Sequence, residues 1–515
     1  MRHVIIIAVL SGWVVASVFS SAHSQPPERL PEPPPSSDSP PRGPYGVGRA
    51  PFEQRPATSC SAASCHGGGQ IGKVGSEHST WAPQAFPAGG MSDPHTRAYS
   101  VLFNSVSVQM AKYLDLKDAR GNSKVPAHQA TLCLKCHAVD GASEPETRDQ
   151  ILSEGVGCGA CHGPAEKWIG LHYTSEWKGL SNREKWDKYG FVPAGNLVAR
   201  TLNCAGCHSG DADRDVNHDL YAAGHPRLAF ESARFHFQPD YRKHWVEKTP
   251  QPDFEVRVWV VGQAAALRNA TALLRSRAEH ADKPTGVWPE FAGYSCYSCH
   301  QRVGEGNVRG SASDASQTRR PGVPGWEVWS NTAAGIAAEY CGAAYPGLSS
   351  PNLAEMNALR KLMGEKAIPS TKAVKEQATK ALAELDAWLV AMQIAEDDKS
   401  RLRPVAPGTA ERMARVLAQN ALSTDGKKLA DHDWDALAAN YLGSGAMFHA
   451  IRAGDRSAPT PRWGTELESL RDALRFPEPK GQRFDSPYDY DRKKIDLLRA
   501  NFERLRDATA PTGGK

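Results

Sequence analysis

Ten of the eleven cysteines in the 515-residue chain stand in five pairs, and a histidine follows the second cysteine of every pair. Four pairs enclose two residues: CLKCH (Cys133, Cys136, His137), CGACH (Cys158, Cys161, His162), CAGCH (Cys204, Cys207, His208) and CYSCH (Cys296, Cys299, His300). The remaining pair lies in SCSAASCHGG, where four residues separate Cys60 from Cys65 and His66 follows. At the shorter spacing two thiols can form thioethers to the two vinyl groups of one haem while the adjacent imidazole ligates its iron. Disulfides in an exported chain, or a four-cysteine zinc site spanning Cys133 to Cys161, would also use such pairs. Neither needs a histidine after each one. With 18 histidines in 515 residues, five such placements by chance come to roughly one in 20 million. The pattern therefore predicts covalent haem c at the four regular sites. At the first site Ser61 to Ser64 are small enough to bulge between the thiols, and Gly67, Gly68 and Gly69 let the chain turn afterwards. Five haems are expected, or four if Cys60 and Cys65 form a disulfide instead.

A haem iron with one histidine has a second axial position to fill. His95 lies in SDPHTRAYSVL, where Asp93 reads as an N-cap and Pro94 as the first helical residue, so the side chain would leave a helix start in a fixed direction. His172 follows His162 by ten residues. His218 and His225 are seven apart, which on a helix is two turns, and Pro226 would end that helix. The two could serve different haems. His78 and His128 are further candidates, the latter just before CLKCH. His236, His244, His280, His432 and His449 are expected at the surface or in the core, and Met91 and Met110 have no distinguishing context. The acidic run DADRDVNHD alternates like a calcium loop, but Val216 stands where the glycine of such a loop belongs, so a solvated turn is expected.

From the motifs together with DPHTRAY, CHGPAEKWIGLH and NCAGCHSGDADRDVNHDLYAAGHPRLAFE, the chain over roughly residues 59 to 302 resembles multihaem c-type cytochromes of the cytochrome c-554 type, the cytochrome c-552/4 domain. The family is tetrahaem in its best-known form, so a fifth site and a widened first site are departures. The resemblance implies that His95, His172, His218 and His225 act as distal ligands. It also implies electron transfer, with a haem left open to a small ligand in some relatives.

The elements that must position these groups follow from composition and periodicity. Residues 1–24 combine a basic start, a 16-residue apolar run and small residues around Ala22 and Ser24, the order of a cleaved signal peptide. An exported, periplasmic protein without a transmembrane span in the mature chain is expected. Residues 25–58 are rich in proline and read as a disordered linker. Residues 59–250 carry four motifs, and 251–325 a helix (Val260, Ala264, Leu267, Thr271, Leu274, Ala278) leading to the fifth. In 326–515 the seams Val374–Met392 and Ile495–Leu505 predict an α-helical, bundle-like region, with Cys341 buried and inert. The fold class is mostly α, the haem core sparse in secondary structure. A net charge of +4 on 61 basic and 57 acidic residues is too small to argue for nucleic acid or an anionic membrane, and no nucleic-acid partner is expected.

Electron transfer between periplasmic or membrane-associated redox proteins is the expected function, through closely packed, mainly bis-histidine haems. The alternative is a haem oxidoreductase with one open iron acting on a small nitrogen compound or peroxide. No motif ends in lysine, and no catalytic acid–base group is legible.

Overall fold

The computed structural model describes residues 43–47, 51–82, 93–139, 141–237, 253–284, 286–300, 323–422, 433–454, 463–476 and 494–510. The proposed signal segment and the proline-rich stretch to Arg42 lie outside them. Among the described residues the regular elements are all helices, with isolated bridges at Lys117–Ser123, Asp211–Arg214 and Tyr294–Trp326 and no strand. No helix among them is long and apolar enough to cross a membrane.

Two constructions meet in one core. Between Ala57 and Ala223 the helices are short, of about one to three turns, and joined by loops. Beyond Phe254 helices of 11 to 27 residues appear among further short ones. The Phe254–His280 helix has 27 residues, so it runs about 40 Å. It packs against the Thr371–Asp397 helix, which the Ala354–Glu365 helix also contacts. A second layer pairs Thr409–Leu422 with Trp434–Gly454 and Ile495–Ala508. The three expected seams are buried: Val260 to Ala278, Val374 to Met392 and Ile495 to Leu505.

The Phe254–His280 helix departs from a one-sided seam. Arg257, Trp259, Val261, Ala265 and Ala272 are buried as well, so it is the central helix of the core, enclosed nearly all round. Its one strongly charged interior group is matched. Arg257 Nε donates to Glu396 Oε1 at 3.1 Å, and the Tyr345 hydroxyl donates to the same oxygen at 2.9 Å.

The core does not break at residue 250 or at 326. Leu197, Val198 and Leu202 belong to the same cluster as Leu385 and Phe502. They lie on the Leu197–His208 helix, whose last turn is the CAGCH motif. Asn196 caps that helix by accepting from the Val198 and Ala199 amides, and its Nδ2 donates to the Gln393 carbonyl and to Asp397. One side chain thus starts the motif helix and fastens it to the bundle. The stretch expected to be linker ends earlier than its composition suggests. Tyr45 is 2% exposed, its amide donates to Gln393 Oε1 and its hydroxyl to Asp397, because it brings an apolar ring that the prolines around it lack. Residues 51–58 also join the fold, with the Ala57 amide donating to Glu154.

Candidate functional site

Four of the five motif histidines face a second histidine. The ring centroids are 6.2 Å apart for His66 and His172, 6.2 Å for His95 and His208, 6.4 Å for His137 and His225, and 6.4 Å for His218 and His300. Two imidazole nitrogens each about 2 Å from a shared metal ion put their ring centroids roughly 6 Å apart. Directly stacked rings would be closer. The second histidine of each pair is one of the four that sequence context singled out.

Local structure aims each of these rings. Asp93 caps the Pro94–Arg97 turn, which is a 3-10 helix, and its Oδ1 accepts both the His95 amide (3.0 Å) and His95 Nδ1 (2.8 Å). His172 Nδ1 donates to the Ile169 carbonyl and His137 Nδ1 to the Ala98 carbonyl, both at 2.8 Å. His225 Nδ1 donates to the Pro226 carbonyl at 2.7 Å, and His66 Nδ1 meets Glu77 at 2.9 Å. A carbonyl or carboxylate can only accept, so in these five rings the proton sits on Nδ1 and the Nε2 lone pair is left for a metal. Glu77, and this second duty of Asp93, were not legible as functional in the sequence.

His218 and His225 do not share one helix. The helix His218–Ala223 ends at Gly224, whose φ of 113° is left-handed, and His225 lies beyond it. That reversal sends the two imidazoles to different partners, His300 and His137. His78 packs against Trp81 (5.8 Å, tilted), and His128 stacks on Phe103 at 4.3 Å. His162 stacks with Phe191 at 6.1 Å. His236, expected at the surface or in the core, is buried and lines the cavity described below, its Nδ1 donating to the Ser232 carbonyl; nothing in FESARFHF announced this.

The motif cysteines form a neighbourly series that does not follow sequence order. The thiol of Cys60 lies beside that of Cys158, and the thiol of Cys136 beside that of Cys207. Asn203 Nδ2 donates to the Ala160 and Cys161 carbonyls, which ties the CAGCH helix to CGACH. Burial pushes the Cys161 thiol up to about 12 and Cys204 to about 11. Burial, and then the neighbouring His95, hold His208 down to about 4, while burial lowers His137 and His225. His95 goes the other way: burial opposes its charge, but the Asp93 hydrogen bond and carboxylate raise it.

A cavity of about 1330 Å³ opens among these groups, lined by Cys133, Cys136, Cys161, Cys204 and Cys207 and by the six histidines His95, His137, His162, His208, His225 and His236. Ordinary ligand pockets span about 300–1,000 Å³, so this one suits more than one large planar group. Thiols at its wall and facing imidazoles are a donor set that fits haem c. Among the described residues no three His, Cys, Asp or Glu groups converge as they would on a bare metal ion. The acidic run is partly engaged: Arg214 pairs with Asp211 and Arg277 with Asp215, both at 2.6 Å, while Asp213 and Asp219 are exposed as expected of a solvated turn.

Residues 91–163 match the family model described as cytochrome c554 and c-prime. The matched stretch holds His95, CLKCH and CGACH, and it supports assignment of the chain to the c-type cytochromes and covalently bound haem c. No curated protein and no solved structure matches the chain.

Proposed function

For a chain assigned to the c-type cytochromes, we propose that it is an exported five-haem electron carrier in which at least four sites are bis-histidine. Haem c supplies one-electron redox chemistry when bound. The chain's residues fix where it can be exchanged. The facing imidazole pairs at 6.2–6.4 Å carry this reading, because each joins a motif histidine to a distant one. Two imidazoles close both axial positions, and without a methionine ligand the potentials stay low.

Neighbouring cysteines and histidines support a row of sites: Cys60/Cys65, Cys158/Cys161, Cys204/Cys207, Cys133/Cys136, then Cys296/Cys299. The last step rests on the His218–His225 segment, whose two imidazoles belong to adjacent members. The only exposed motif thiols, Cys65 and Cys299, belong to the first and last sites of that row. A row half-buried in its middle and exposed at both ends suits transfer between two partners.

The test is intact-mass measurement of the protein matured in a host that attaches haem c, with low-temperature paramagnetic resonance of the oxidised form. Five covalent haems and low-spin bis-histidine signals are expected. Four haems with Cys60 and Cys65 oxidised would remove the first member of the row. A protein without covalent haem would overturn the proposal.

A further inference from the structure

One surface beside the row combines apolar rings with a charge surplus. The turn Ser100–Phe103, the helix Ser105–Tyr113 and the turn Ala127–Gln129 pack on one another as a cover. Their inner side chains, among them Val106, Met110 and Leu114, line the cavity beside Cys133 and Cys136. Their outer side chains do not. Phe103 is 52% exposed, Val108 45% and Tyr113 69%, and Phe103 stacks on His128. Single exposed apolar residues are ordinary, but several on one small cover mark an interaction surface.

Charge points to the occupant. From Arg97 to Lys135 the sequence holds six cations (Arg97, Lys112, Lys117, Arg120, Lys124 and Lys135) and two acids, Asp115 and Asp118. That surplus equals the formal charge of the whole chain, +4, so the remainder is balanced. Arg97, Lys112, Lys117, Arg120 and Lys124 are exposed. Lys112 is on the helix itself, and Lys117 to Lys124 belong to the bridged hairpin that follows it.

We infer that this outer face docks an acidic redox protein, the apolar rings seating its contact patch and the lysine collar steering it. The inference rests on the electron-carrier reading above. It places a partner one helix diameter, about 10 Å, from the side chains that line the Cys133/Cys136 site.

The experiment uses the haem-loaded full chain and flavodoxin hydroquinone as an acidic protein donor. Neutral lumiflavin semiquinone serves as a control donor. K112E/K117E/K124E is compared with K361E/K372E/K380E, which carries the same charge change on exposed bundle lysines. Steering by complementary charge speeds association by about 10- to 1,000-fold at low salt. The first variant should therefore lose at least about tenfold in the flavodoxin rate at 10 mM salt, and the difference should vanish near 1 M, where the Debye length is about 3 Å. The bundle variant should match the wild type, and lumiflavin should reduce all three alike. Val108→Ser with Tyr113→Ser should slow the flavodoxin reaction at every salt concentration.

Equal slowing by both charge variants, or by neither, overturns the inference while leaving the carrier reading intact. So does a dimer in sedimentation that Tyr113→Ser dissociates, which would make the face a self-interface. Anionic vesicles bound through Lys112, Lys117 and Lys124, with flavodoxin kinetics unchanged in the variant, would make it a membrane surface and also overturn the inference. Failure to load haem or to accept electrons from lumiflavin would fall on the carrier reading itself.

Discussion

Replacing Asp93 by asparagine isolates one charge at one imidazole. Asp93 is 2% exposed, and its Oδ1 holds both the His95 amide and His95 Nδ1. An asparagine oxygen can accept the same two bonds, so the turn Pro94–Arg97 and the ring direction should survive. Only the negative charge is removed. A hydrogen bond to a charged group contributes about 1.5–3 kcal/mol net, against about 1 kcal/mol for a neutral one, so the charge is worth about 0.5–2 kcal/mol. Oxidised iron carries the additional positive charge, and the carboxylate favours that state. At about 59 mV per 1.4 kcal/mol for one electron, its loss should raise one midpoint potential by about 20–80 mV. The assay is a redox titration followed by visible absorption and paramagnetic resonance. One component of the low-spin set should shift upward, with haem content and the other components unchanged. An unchanged titration in a fully loaded variant would refute the reasoning, because it would mean that the buried carboxylate does not act on the His95–His208 pair.

Two further perturbations address the scaffold. Glu396→Gln leaves an acceptor for Tyr345 but strips Arg257 of its buried counter-charge, and side-chain exposures of 1% and 0% put both in the desolvated regime. A stability loss of about 3–5 kcal/mol is expected in denaturant unfolding, partly recovered in Arg257→Met/Glu396→Leu; a loss below about 1 kcal/mol would show the pair to be solvated. Glu231 caps the helix Ser232–Phe237, accepting from the Ala233 and Arg234 amides, and burial outweighs those bonds to push its carboxyl up to about 7. A carboxyl whose folded pKa is raised costs stability as pH climbs from its unfolded value, about 4.5, and the full cost is present above 7. Glu231→Gln should therefore gain on the wild type by up to about 3 kcal/mol between pH 4.5 and 8. A difference that does not vary with pH would contradict the burial of a titrating group.

Covalent chemistry was legible in the sequence because each thioether site is local: CLKCH or CAGCH declares itself within five residues. The second histidines were partly legible, since Asp93–Pro94 fixes a helix start, while the end expected at Pro226 falls at Gly224 instead. What one chain could not reveal is which histidine meets which. The His66–His172 pair spans more than a hundred residues, and the cross-over of His218 to His300 and His225 to His137 depends on one left-handed glycine. His236 was illegible for the same reason, because its role comes from the cavity behind it.

The bundle was readable as seams, but not which motif helix it would meet. Among the described residues the two longest helices, Phe254–His280 and Thr371–Asp397, both pack on the CAGCH helix. Val260 and Leu385 share a core with Leu197 and Leu202 of the CAGCH helix, and Asn196 fastens that helix to Gln393 and Asp397. Short motif helices cannot hold rings to a fraction of an ångström alone, because each has few backbone bonds of its own. A long, fully buried helix such as Phe254–His280 can, since moving it would expose apolar surface along its whole length. Rigid spacing of imidazoles in the first half of the chain is thus a property of the second half. A C-terminal region without a single haem motif is therefore as much part of what places the facing imidazoles as the motif helices themselves.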